Sequence, residues 1–297
     1  MQDSQLLQVL LPIAIALIMT GIGMSLTPAD FLRIGERPKP VLVGVLGHYV
    51  WLPALGFSIA WAFALPPEFA VGLVLVAACP SGSSSNALTY LARGNVALAV
   101  SLTVISGLIT FLSVPLLVNL ALQFFAGERA DLQVPFRSTA MHLAALVLIP
   151  ILLGMGLRRV APAFALRIEK WTGAFAMLVL FAIIVALVIQ QWANLPTLLR
   201  GVGLPALALA CGATAGGVVL GRLLRLNLPD ALTVGIEVGV QNATLAALIA
   251  LSLMKSEQIA VPALMYGMLM YLPAAAVVIY GRRAARRGQG APIGPAQ

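Results

Sequence analysis

Long apolar runs alternate with short polar, turn-rich connections along nearly the whole chain. A helix needs about 20 apolar residues to cross the hydrocarbon of a bilayer. Nine runs meet that length: 6–26, 41–65, 69–91, 96–125, 138–157, 172–192, 203–223, 230–253 and 260–280. The connections, such as PPE at 66–68, GERADLQVP at 127–135, NLPTLLRG at 194–201 and NLPD at 227–230, carry residues that end helices. The pattern predicts an all-α integral membrane protein of about nine transmembrane helices.

Two runs are interrupted. In the third, FAVGLVLVAA gives way to CPSGSSSN at 79–86 before the helical pattern resumes. In the eighth, GIEVG is followed by VQNATLAAL. SSSNALTYLA and GVQNATLAAL look like a weak internal repeat. Matched interruptions in two halves of a chain point to the binding site of a secondary transporter. A broken helix frees backbone carbonyls for a cation and exposes half-helix N-termini that favour an anion.

Composition agrees. The 297 residues are 61% hydrophobic and 9% charged, far below the roughly 25% charged residues of soluble domains. Mean hydropathy is +1.00. The first run has neither a basic n-region nor a small-residue cleavage site, so no cleavable signal is expected. Cys79 and Cys211 lie in apolar runs and are expected to be buried free thiols.

The net charge of +8 does not indicate nucleic acid, because the basic residues sort by side. With the RRAARR tail in the cytoplasm and the N-terminus outside, 14 of the 18 Lys and Arg fall on the cytoplasmic side and 4 outside, the pattern the positive-inside rule requires. Binding of the tail to anionic lipid is a lesser possibility. Among ten acids, Glu237 alone lies well inside a run, and no Lys or Arg lies inside any run to pair with it. An intramembrane carboxylate is costly unless paired, solvated or bound to a cation, so Glu237 is a candidate cation or proton ligand.

CPSGSSSNALTYLARGNVALAVSLT at 79–103 resembles the CPGGxxSN…YLARGxxALS signature of the bile acid:sodium symporter family. GIEVGVQNATLAA resembles that family's EVGxQN motif. The resemblance implies an inverted repeat of five plus five helices, with two broken helices crossing in a core domain beside a panel domain. This chain begins at what resembles the family's second helix, which leaves nine. The implied core is 38–126 with 202–281, the panel 1–37 with 127–201, and 282–297 a cytoplasmic tail. The implied activity is alternating-access symport of an organic anion with sodium across a bacterial inner membrane.

Carried over residue by residue, the first sodium site takes Ser85, Asn86, Thr103 and Glu237, with Ala99 where the family has a further Ser. The second takes Glu237, the backbone oxygens of Val238 and Val240, and Gln241, with His48 in place of a Gln. Sodium prefers oxygen, whereas a His beside a carboxylate suits a proton, so the second site is expected to be altered and H+ is an alternative coupling ion. Ser83 and Asn242 match positions beside the substrate, and Met270 and Tyr271 stand where some bile-acid-binding relatives have polar side chains. A small carboxylate is favoured over a bile acid. His142 is expected at the membrane interface. The rival is a proton-coupled or uncoupled transporter or exporter on the same scaffold. An enzyme is not expected, because HExxH and paired intramembrane acids are both lacking. Oligomeric state is left open, with a monomer plausible.

Overall fold

The computed structural model describes residues 2–27, 35–127, 141–142, 144–190 and 199–289, some by their backbone alone. Expectations for Arg33, Arg129, Arg137, positions 138–140 and 191–192, and the tail beyond 289 lie outside the described residues. Among those residues the fold is all-helical, with one isolated β-bridge. The helices are α1 (Gln2–Ser25), α2 (Pro38–Leu46), α3 (Leu52–Ala62), α4 (Pro67–Ala78), α5 (Ser84–Leu91), α6 (Val96–Ala121), α7 (Ile149–Val160), α8 (Pro162–Gln190), α9 (Leu204–Leu223), α10 (Leu228–Gly239), α11 (Ala243–Ser252), α12 (Glu257–Leu269) and α13 (Tyr271–Gln289).

A π-turn, Gly47–Trp51, joins α2 and α3 into one helix from Pro38 to Ala62. That helix, Val96–Ala126, Gly201–Leu223 and Glu257–Arg286 are the four, among the described residues, long and apolar enough to cross a membrane. Large apolar side chains such as Trp61, Leu116, Val219 and Phe181 stay exposed on the outside of the bundle. An apolar surface of this kind suits lipid, not water.

Several boundaries move. α8 begins ten residues before the expected 172, because the amphipathic turn PAFALRIEK is helical although too polar to count as a span. α13 carries the first half of the expected tail as helix, since Arg and Ala are good helix formers. Cys79 is buried as expected, but Cys211 is exposed. It lies between the buried positions Ala210 and Ala213 of α9, and hydropathy alone does not separate a core face from a lipid face.

α9 and α10 pack unusually closely. A Cβ placed on Gly217 would sit 2.8 Å from Gly235 Cα, and one on Gly221 would sit 2.9 Å from Ala231 Cα. Small residues let the two backbones touch, which fixes the height of α10 and of Glu237 on it.

Candidate functional site

Both interrupted runs break where the sequence places the break. α4 stops at Ala78 because Cys79 precedes a proline and adopts extended backbone, φ −75° and ψ 162°. α10 stops without a proline. Gly239 lies against Thr214, Gln241 folds its amide back onto the Val238 carbonyl (2.8 Å), and Asn242 caps α11 by accepting from Leu245 N–H (3.0 Å).

The two breaks pair with each other. Gly82 N–H donates to Val240 O (2.9 Å), Asn242 N–H donates to Pro80 O (2.8 Å), and Ser81 bridges Gln241 in antiparallel fashion. Gly82 permits this approach, since a Cβ there would lie 3.0 Å from Gln241 O. The remaining freed groups find side chains. Ser113 Oγ donates to Ala78 O (2.9 Å), His48 Nε2 lies 2.9 Å from Cys79 O, and Ser106 Oγ accepts from Ser81 N–H (3.2 Å). Ser81 Oγ donates to Glu237 O (2.9 Å) and Tyr266 Oη to Gly239 O (2.7 Å). Irregular backbone at bilayer depth survives only when it is satisfied in this way. Removing one donor tests the point. Tyr266→Phe leaves the buried Gly239 carbonyl unpaired and should destabilise the protein by about 1–2 kcal/mol in thermal unfolding.

Glu237 stands where the breaks meet. Its side chain is 1% exposed. Thr103 Oγ1 donates to Oε2 (3.0 Å), while Oε1 has no hydrogen-bond partner in the protein. The Ser85 hydroxyl lies within interaction range of the same carboxylate, yet its Oγ makes no hydrogen bond. Asn86 Oδ1 and Gln241 Oε1 are likewise buried and unpartnered. Ser85, Thr103 and Glu237 are thus brought together, with hard oxygens to spare. That donor set fits a hard monovalent cation.

The second expected set is arranged differently. Val238 O and Val240 O both accept protein hydrogen bonds, from Gln241 Nε2 and Gly82 N–H. The His48 ring is buried, and since a carbonyl can only accept, Nε2 carries the proton it donates to Cys79 O. Ser83 is exposed, Met270 is buried, and Tyr271 Oη lies 3.2 Å from Ser84 Oγ in the first turn of α5. Asn242 Oδ1 is committed to its cap, which leaves its amide nitrogen for a ligand.

The apparent repeat also changes register. Asn242 precedes α11, whereas Asn86 lies inside α5, so the two asparagines of the motifs do not occupy like positions. Sequence reasoning missed Ser106, Ser113 and Tyr266. The first two, with Thr103 and Thr110, form a polar stripe at helical spacing on α6 that was there to be read. Also missed was a cluster at the other end of α10. Arg37 donates to Asp230 through its two terminal guanidinium nitrogens (2.7 and 3.3 Å), Asn95 Nδ2 donates to the same carboxylate (2.7 Å), and Asp230 is 2% exposed.

An apolar helical bundle with a buried carboxylate at two facing helix breaks defines a membrane transporter. Several similar proteins are named for sodium-dependent transport. The chain is 33% identical over 242 residues to an uncharacterized sodium-dependent transporter, YocS, of Bacillus subtilis, covering 80% of this chain and 72% of that protein. It is 31% identical to the probable chloroplastic sodium/metabolite cotransporter BASS2 of Oryza sativa, over 92% of this chain and 64% of that one, just under two thirds of the plant protein. It is 29% identical to the human ileal sodium/bile acid cotransporter, over 83% of this chain and 70% of the relative. Residues 12–197 match the model of the Sodium Bile acid symporter family, and the chain belongs to that family. It is a transporter, not an enzyme.

Proposed function

We propose that the protein is a symporter that moves a small organic anion with sodium by alternating access, in a bacterial inner membrane with the basic end of the bundle in the cytoplasm. One observation carries this reading: among the described residues Glu237 is buried without a basic partner, its Oε1 accepts no hydrogen bond, and the unpartnered Ser85 hydroxyl lies within range of its carboxylate. A carboxylate so placed calls for positive charge, and the neighbouring donors are oxygens.

Sodium is here a transported substrate, held by Glu237, Ser85, Thr103 and Asn86. The second cation set involves Gln241 and the Val238 and Val240 carbonyls, with His48 securing the first break instead of reaching the ion. The anion lies beside the first turn of α5, where Ser83, Ser84 and Tyr271 gather, and within reach of the Asn242 amide. A relative named for metabolites and another named for bile acids are compatible with an organic anion. The buried Met270 favours the smaller kind. Nine spans in a core and a panel, related as an inverted repeat, complete the reading. Its support is that α1, α7 and α8 pack on one another, while the first broken run packs with α6 and α12 and the second with α6, α9 and α12. Arg37, Arg93, Arg225 and Arg282 gather at one end, with Arg282 Nε donating to Leu91 O (3.1 Å).

A thermal-shift screen of small carboxylates, each with and without sodium, tests this. Stabilisation that needs both ligands is expected, about 2.7 kcal/mol at one hundred times the Kd. A carboxylate shift indifferent to sodium indicates an uncoupled carrier. A shift that follows pH and not sodium indicates the proton-coupled alternative.

A further inference from the structure

Two facing helices carry buried hydroxyls in register below Glu237. On α5, Ser85 and Thr89 are four residues apart and share a face; on α10, Glu237 and Thr233 do the same. α5 and α10 pack against each other and run in opposite directions, so both pairs descend toward the basic end. Ser85, Thr89 and Thr233 are each 0% exposed. Ser85 Oγ and Thr89 Oγ1 have no hydrogen-bond partner. Thr89 and Thr233 meet at Gly94: a Cβ there would lie 2.7 Å from Thr233 Oγ1, 2.9 Å from the Thr89 methyl and 3.2 Å from the Thr89 carbonyl. Thr233 Oγ1 in turn accepts from Asn95 N–H (2.8 Å), and Asn95 holds Asp230. Asp230 and Arg37 line a surface cavity of about 450 Å³, together with Lys39, Arg225 and Asn227. Arg37 is about half exposed and pairs with Asp230 at the surface end of these residues.

Thr89 is the anomaly. Its hydroxyl is buried and unsatisfied, whereas Val would fill the same space without a polar atom to desolvate. Packing and stability therefore favour Val, and the hydroxyl needs another reason. We propose that the file from Ser85 through Thr89 and Thr233 to the Arg37–Asp230 ion pair is the passage by which sodium reaches and leaves Glu237 at the basic end, with Thr89 as a transit ligand. The proposal rests on the sodium reading above and adds the route and its residues.

A transit ligand has a distinct kinetic signature. It lowers the barrier in both directions, so its loss slows association and dissociation together and leaves Kd unchanged. Loss of a site ligand changes Kd, and loss of a merely structural hydroxyl changes neither. The experiment is stopped-flow mixing of the full chain in detergent with sodium chloride. Tryptophan fluorescence is the signal, since Trp51 shares the π-turn with His48 and is anchored through Nε1 to Gly212 O. Thr89→Val should slow both rates about tenfold, with Kd held within about twofold, while Thr89→Ser keeps wild-type rates. Unchanged rates in Thr89→Val overturn the passage, as does a shift in Kd carried by dissociation alone. A wild type without any sodium-dependent signal or stabilisation overturns the sodium reading itself. That is distinguishable, because it shows before any variant is made.

Discussion

Replacing Glu237 with Gln is expected to abolish sodium-coupled uptake while leaving a folded protein. The change is nearly isosteric, and the amide oxygen still accepts from Thr103 Oγ1, which now lies 3.0 Å from Oε2. What is lost is the one negative charge at the meeting of the two breaks. A unit charge a few ångström from a cation, partly screened by the surrounding polar groups, is worth on the order of 3 kcal/mol, or roughly a hundredfold in affinity. Without sodium the variant should be no less stable than wild type, because a neutral amide is cheaper to bury than a carboxylate. The measurement is the sodium dependence of thermal unfolding, followed by uptake into proteoliposomes under a sodium gradient. Concentrative uptake by the variant, or an undiminished sodium shift, refutes the assignment of Glu237.

The second large effect concerns packing. Gly217→Leu should destabilise the protein by about 3 kcal/mol and weaken its sodium response as well. The side chain would enter a seam where α9 and α10 meet backbone to backbone. The nearest atoms to a new Cβ are Gly235 Cα at 2.8 Å and Val234 O at 3.0 Å, and neither can rotate away. Relief requires α10 to shift, and α10 carries Glu237, Thr233 and Asp230. Gly156→Leu on α7 is the control. Among the described residues no atom outside the local helix backbone lies within 4 Å of a Cβ at that position, and the change should alter the unfolding temperature little. Equal behaviour of the two variants contradicts a functional role for the seam.

Much of the site could be read from the chain because its signals are local. Pro80 disfavours helical backbone at Cys79, and with the polar, glycine-containing residues that follow it marks the break locally. Glu237 stood out as the only acid far from a run end, and the structure buries it beside Ser85 and Thr103. The partners that make the breaks tolerable could not be read. Ser113 reaches back 35 residues to Ala78, Tyr266 reaches 27 to Gly239, and nothing in either segment names its target. His48 shows the same limit. Its identity suggested cation or proton chemistry, whereas its placement spends its Nε2 proton on the Cys79 carbonyl. Asp230 looked like an ordinary residue at a span end, and only the approach of Arg37, 193 residues away in sequence, makes it part of a partly buried ion pair. Cys211 was misjudged because an apolar run looks alike whether it faces protein or lipid.

The sequence by itself determined that the chain is a helical membrane protein, where two of its helices break, and which carboxylate lies between them. Those properties follow from hydrophobicity, proline and glycine chemistry and the cost of an intramembrane acid, which act within a few residues. The tertiary structure alone decided which donors satisfy the freed carbonyls, how closely α10 lies on α9, and that Thr89 and Thr233 meet at Gly94. Those are matters of helix height and rotation. They are set by contacts between residues far apart in the chain, and no local pattern encodes them.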